Sequence, residues 1–163
     1  MSTVRRRGPG FTMLEMMMVV GVIAILAMMA MPSYIEKIVR DQIIEALPLA
    51  DLAKAPVALA WAAGVPFPDN NEAAGLPAAD KIVSNLVSST LVQGSAIHIT
   101  FSNRANGTIR SKVLTLRPAV VADAPVVPIA WVCGNATPPD KMTVKGQNKT
   151  DVPVLYLPLK CRP

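Results

Sequence analysis

The stretch RRRGPGFTMLEMMMVVGVIAILAMMAMPSY, residues 5–34, sets three arginines and a Gly-Pro-Gly against a run holding one carboxylate, Glu15. Nothing else between Phe11 and Ile35 is charged, and residues 16–31 are nearly all apolar. As a helix, residues 11–35 reach roughly 37 Å, enough to cross a bilayer core of about 30 Å. Arg5, Arg6 and Arg7 hold the short end in the cytoplasm and place everything after residue 35 outside. An ordinary secretory signal has an apolar core of about 7–15 residues followed by a small-residue cleavage site. Here the apolar stretch is longer and the glycines precede it. A plain anchor has no use for an acid, which hydrocarbon disfavours. Glu15 therefore calls for a partner.

At 163 residues the chain has room for one modest domain plus a helix. Net charge is +5, from 16 basic and 11 acidic residues; without the three head arginines it is 13 against 11, or +2. So small an excess is no argument for nucleic-acid binding, which stays a weakly supported partner class. Most of the fifteen prolines follow residue 47, favouring short elements and many turns. Cys133 and Cys161 are the only cysteines. In an exported protein an even count suggests a bridge, whereas in the cytosol two free buried thiols are equally natural.

Beyond the apolar run, Ile35, Ile38, Val39, Ile43, Ala46, Leu47, Ala50, Ala53, Val57, Ala60 and Trp61 recur at steps of three and four. That is one stripe of a helix facing a core, over residues 36–64. Pro48 and Pro56 each remove an N–H and crowd a preceding carbonyl, so bends are expected there, and Gly64 with Pro66 ends the helix. Residues 65–94 mix Gly, Pro, Asn and Asp with a weakly amphipathic DKIVSNLVSSTL and read as a connection. Strands are expected at SAIHITF (95–101) and TIRSKVLTLRP (108–118), joined as a hairpin through Asn106-Gly107. VVPIAWVC (126–133) reads as a third strand and VLYLPL (154–159) as a fourth, at an edge.

GFTMLEMMMVVGVIAILAMMAMPSY resembles the prepilin signature of type IV pilins and pseudopilins. QIIEALPLADLAKAPVALAWAAG resembles a helical stretch common in major pilins, apart from its two prolines. ITF, LTLRP, PIAWVCG and YLPLKCR resemble the sheet and C-terminal loop of type IVa major pilins, leaving 65–93 and 136–152 unmatched. The resemblance implies an α+β fold, in which a long N-terminal helix packs its second, amphipathic half on a four-stranded antiparallel sheet in a ladle shape. It divides the chain into a leader (1–10), a transmembrane and assembly helix (11–35), the amphipathic helix (36–64), the connection (65–94) and a sheet region (95–163).

The same resemblance implies the site residues. An inner-membrane prepilin peptidase cuts between Gly10 and Phe11 and N-methylates Phe11. Glu15 meets the freed Phe11 amine, on its own chain or on a neighbour, and so sets the register of subunit addition. Gly21 and Pro32 weaken the helix, Pro32 kinking it, with Tyr34 following. In an oxidising periplasm Cys133 and Cys161 form a disulfide around the C-terminal segment. The implied partners are further copies in a helical filament, the pilus assembly platform, minor pilins and, before assembly, the inner membrane. The filament ends on the cell surface, serving adhesion, twitching motility or DNA uptake.

Two related uses share this leader and helix: a minor pilin, or a type II secretion pseudopilin. A DNA-binding competence pilin is a third reading, for which Arg104, Arg110, Lys112 and Arg117 would form a basic strip; a solvated face is the simpler account of them. No cofactor, metal site or catalytic residue is expected. His98 is the sole histidine and lies in a predicted strand, which excludes His-based metal clusters and leaves it a structural or surface role. No GxSxG or Gly-rich phosphate loop is present.

Overall fold

The computed structural model describes residues 10–102 and 104–163, and of residues 31–33 only the backbone. Arg5, Arg6 and Arg7 lie outside the described residues. The chain falls into two compact units, the first ending at Ile35 and the second spanning Glu36–Pro163.

From Met13 onward the first unit is helix. The element α1 is assigned over Met13–Ala62 and passes Gly21 and Pro32 without interruption. Its apolar side chains find no core: Phe11, Met13, Leu14, Met17, Met18, Ile23, Ile25, Leu26, Met28 and Met29 are all exposed. The stretch is long and apolar enough to cross a membrane.

In the second unit, the C-terminal half of α1 covers one face of an antiparallel sheet. Val39, Ile43, Ala46, Leu47, Ala50 and Ala53 join Val87, Val92, Ile97, Ile99, Phe101, Leu114 and Leu116 in one buried cluster. The stripe read from the sequence is therefore correct at its centre, while Ile35 and Ile38 are left largely exposed. Pro48 and Pro56 do not break α1. Burying Val39, Ile43, Leu47 and Val57 is worth roughly 1.5–3 kcal/mol each, which outweighs the about 3 kcal/mol that each proline costs. Pro48, which has no N–H to offer the Ile44 carbonyl, lies on the exposed side of the helix, where Ile44 is half-exposed too. The helix closes with a Schellman turn: Val65 N–H donates to Ala60 O (3.0 Å), Gly64 N–H donates to Trp61 O (3.0 Å), and Gly64 takes φ +67°.

The sheet runs β1 (Val87–Gln93), β2 (Ala96–Phe101), β3 (Val113–Val120) and β4 (Ala130–Cys133) in that order, all antiparallel. A short β5 (Thr143–Val144) adds to β3. Several sequence expectations need correction. β1 lies inside the stretch read as a connection, because its Ser88-Ser89-Thr90 centre hides the strand pattern. The tight hairpin joins β1 to β2 through Gly94 and Ser95, with φ of +53° and +72°, as a two-residue turn with both centres left-handed requires.

Asn106-Gly107 belongs instead to the longer loop before β3, described over 104–112. There the Asn106 side chain accepts from Thr108 N–H (3.0 Å) and Thr108 Oγ1 (2.8 Å), and its carbonyl accepts from Ile109 and Arg110. These turns hold residues 108–112 out of β3. The third strand is shorter than 126–133. The expected edge strand at 154–159 is replaced by two 3-10 helices, Val154–Tyr156 and Leu159–Cys161, capped by Pro153 and Pro158. Each proline fixes φ near −60° and so favours a tight turn over a strand.

Candidate functional site

The carboxylate in the apolar run does have a partner, and it is Thr12. Thr12 N–H and Thr12 Oγ1 both donate to Glu15 Oε2, at 2.9 and 3.0 Å. In return Glu15 N–H donates to Thr12 Oγ1 at 3.3 Å, and Met16 N–H donates to Thr12 O at 3.2 Å. With α1 starting at Met13, Thr12 is the N-cap and Glu15 the third helical residue, which is a capping box. Free helix N–H groups and the positive end of the helix dipole both favour an anion there. The pattern Thr-x-x-Glu was visible in the sequence, and Thr12 is the site residue that sequence reasoning missed.

Gly10 and Phe11 lie just outside the helix, both exposed, with open space where a Cβ would stand on Gly10. Phe11 contributes a peptide nitrogen here, since Gly10 precedes it. Its expected ion pair with Glu15 thus needs the Gly10–Phe11 bond to be cut first. Gly21 sits on the helix surface with nothing within 4 Å of its would-be side chain. The side chain of Pro32 is outside the described residues; its backbone is helical.

In the second unit Cys133 and Cys161 are joined, with an S–S distance of 2.06 Å. The bridge ties β4 to the last 3-10 helix. Around it Asn135 N–H donates to Cys161 O (3.0 Å), Gly134 N–H to Thr115 O (2.8 Å) and Arg117 to Gly134 O (3.3 Å). Gly134 has φ +56°, and a Cβ on it would stand 2.9 Å from Cys161 O. Only glycine fits there.

Of the structural and surface roles open to a strand histidine, His98 takes the buried one. It is 4% exposed, with Nδ1 3.0 Å from Thr115 Oγ1. Burial first, and then the Lys149 ammonium, lower its pKa from 6.5 to about 4. The basic strip does not form as drawn. Arg110 and Lys112 lie in the loop before β3 rather than along a strand face. Lys112 pairs with Asp151 (3.5 Å), Arg104 donates to Asn85 Oδ1 (3.4 Å) and Arg117 is turned to Gly134. Among the described residues no group of three or more metal-ligating side chains converges.

Comparison with known proteins covers both units. A family profile described as "Pilin (bacterial filament)" matches residues 39–162. A second, for the prokaryotic N-terminal methylation motif, matches residues 5–31. A fimbrial protein of Neisseria meningitidis serogroup A is 32% identical over 162 residues, covering 94% of this chain and 93% of its own length. The type IV major pilin protein PilE1 of Neisseria gonorrhoeae is similar at 30% over 158 residues, covering 94% and 93%. The fimbrial protein EcpC of Eikenella corrodens shares 34% over 112 residues, 66% of this chain and 72% of its own. With an exposed apolar helix, a capped acid at its start and a helix-on-sheet domain closed by a disulfide, the chain belongs to the pilin family of structural filament subunits.

Proposed function

We propose that this chain is the major, polymerising subunit of a type IV pilus. It is made as an inner-membrane precursor, cut between Gly10 and Phe11 by a prepilin peptidase, N-methylated at Phe11 and drawn into a helical filament on the cell surface. The observation that carries this reading is the exposed apolar helix from Met13 to Met29, with a lone carboxylate at its capped start. So large an apolar surface needs a bilayer or neighbouring helices around it. A filament supplies the second once the first is left.

The exposed Gly10–Phe11 peptide suits a peptidase acting at the membrane face, and the new amine at Phe11 gives Glu15 a cationic partner. Opposite charges in low dielectric attract strongly, and each is costly there alone. A carboxylate taken from Thr12 by a neighbour's amine fixes one register between adjacent subunits. Relatives described as major pilins align over 94% of the chain, which supports the major subunit over a minor pilin or a secretion pseudopilin.

The test is pilin recovered in sheared filaments against pilin left in membranes, for wild type, Glu15→Ala and Glu15→Gln, with electron microscopy of a strain lacking the chain. Both variants should be exported and folded yet poorly assembled, Gln keeping shape without charge, and the deletion should lack filaments. Normal filament yield from Glu15→Ala would show that the carboxylate is not a docking charge.

A further inference from the structure

Residues 145–151 cross the face of the sheet opposite to α1. Lys145 N–H donates to Pro118 O (2.8 Å), and Gly146, with φ +82°, lies so close to the β1–β2 turn that a Cβ would stand 2.8 Å from that of Ala96. Lys149 N–H donates to Thr115 Oγ1 on β3 (3.0 Å), while Lys149 Nζ donates to Gln93 Oε1 on β1 (2.6 Å). The Lys149 side chain therefore spans β2, the strand between them, where His98 pairs with Leu91 and Thr115. Thr115 N–H donates to Thr150 Oγ1 (3.0 Å) and Asp151 N–H to Val113 O (3.1 Å). Polar bonds hold the segment down, and Val152 is its nearest buried apolar anchor.

His98 beneath it is poorly placed to carry charge. Nδ1 meets the Thr115 hydroxyl, which also takes the Lys149 amide, and Nε2 is buried without a hydrogen-bond partner among the described residues. Its neighbours on β1 and β3, Leu91, Gln93 and Thr115, are uncharged, and the charged group acting on it is the Lys149 ammonium. Asp151, the nearest carboxylate in the segment, is turned to Val113 N–H and Lys112. A proton added to the ring would create a second cation facing Lys149, with an N–H that finds no acceptor.

We propose that residues 145–151 are an acid-released strap, closed over a neutral His98 and lifted when His98 is protonated, while the sheet and α1 stay folded. The sign follows from the two states. Closed, the ring takes a proton only near pH 4; open to water, it takes one near its ordinary value of 6.5. Above pH 6.5 titration does not affect closure. Between pH 6.5 and 4 the open form binds the proton that the closed form refuses, so opening grows up to tenfold per pH unit.

Hydrogen exchange on the full-length protein in detergent micelles tests this, corrected for the intrinsic pH dependence of exchange. From pH 7 to pH 4.5 the Lys149 and Asp151 amides should lose protection by about 10- to 100-fold, with Ile99 and Leu114 nearly unchanged. His98→Gln should abolish the difference. Lys149→Met, which keeps the strap amide and removes the facing cation, should raise the closed-state pKa, narrow the window from its lower end and so shrink the loss of protection at pH 4.5. The proposal fails if wild-type strap amides stay protected at pH 4.5, or if Ile99 and Leu114 lose protection together with them. It also fails if neither variant changes the profile; should His98→Gln not fold, the Lys149→Met profile decides.

Discussion

Thr12 and Glu15 close a reciprocal pair at the first turn of α1, the threonine donating twice to the carboxylate and accepting once from the glutamate N–H. The acid is thus held at the helix end by its own chain before any neighbour arrives. Thr12→Val keeps the backbone donor but removes the hydroxyl. Loss of an N-cap hydroxyl costs about 1 kcal/mol, roughly a fivefold shift in an equilibrium. Filament yield should fall partially with Thr12→Val and much further with Glu15→Ala, read as pilin in the sheared fraction. Equal losses from both would mean that Thr12 does more than position the acid.

The bridge between Cys133 and Cys161 closes a loop with a sequence separation of 28. On the chain-entropy account such a closure is worth roughly 3–4 kcal/mol. A Cys133→Ala/Cys161→Ala protein should unfold at lower denaturant by that amount, and wild-type protein should take up no alkylating agent without reductant. Gly134→Ala should destabilise without touching either sulfur, because its Cβ would strike Cys161 O. Denaturant midpoints of the three proteins check the ordering.

Pro48 lies in an unbroken helix on the exposed side of α1. Its replacement by alanine restores the hydrogen bond to Ile44 O and leaves the buried stripe intact. We expect Pro48→Ala to raise stability by about 1–3 kcal/mol, since proline is that unfavourable in helix interiors. A fall in the unfolding midpoint would show that the proline shapes a bend on which the packing depends.

Gly21 and Pro32 bracket a stretch that is helical in the isolated chain. Gly costs about 1 kcal/mol and Pro about 3 kcal/mol relative to alanine in a helix. Among the described residues no buried side chain holds this stretch as Ala50, Ala53 and Val57 hold the one around Pro48 and Pro56, so α1 can lengthen here. In the packed filament part of residues 21–32 should lose its helical hydrogen bonds. A filament map with unbroken helix from Phe11 to Ile35 would count against this.

Where burial follows period, the sequence was legible. The Val39–Val57 stripe, β2, the core of β3 and the end of α1 at Gly64 all follow from apolar spacing and glycine chemistry. β1 escaped because two serines and a threonine sit at its centre, and it is recognisable only once β2 offers a partner. Asn106-Gly107 misled because a favoured turn pair says where a chain can reverse, not which strands it joins. The C-terminal 3-10 helices carry a strand-like run of apolar residues, and Pro153, which also suits a strand start, caps the first of them as Pro158 caps the second. At the N-terminal site the lone Glu15 stands out in the apolar run, whereas Thr12 is one ordinary polar residue whose capping role shows only once the helix start at Met13 is placed. His98 under its strap depends on contacts distant in sequence, which no local pattern announces.

In the function proposed above, the mature chain begins at Phe11 and is built into filaments. Intact-mass measurement on protein sheared from the cell surface tests it in one step. A single species lacking residues 1–10, carrying one N-methyl group and an oxidised Cys133–Cys161 pair, is expected. A sheared species that retains residues 1–10, or filaments that contain none of this chain, would contradict it.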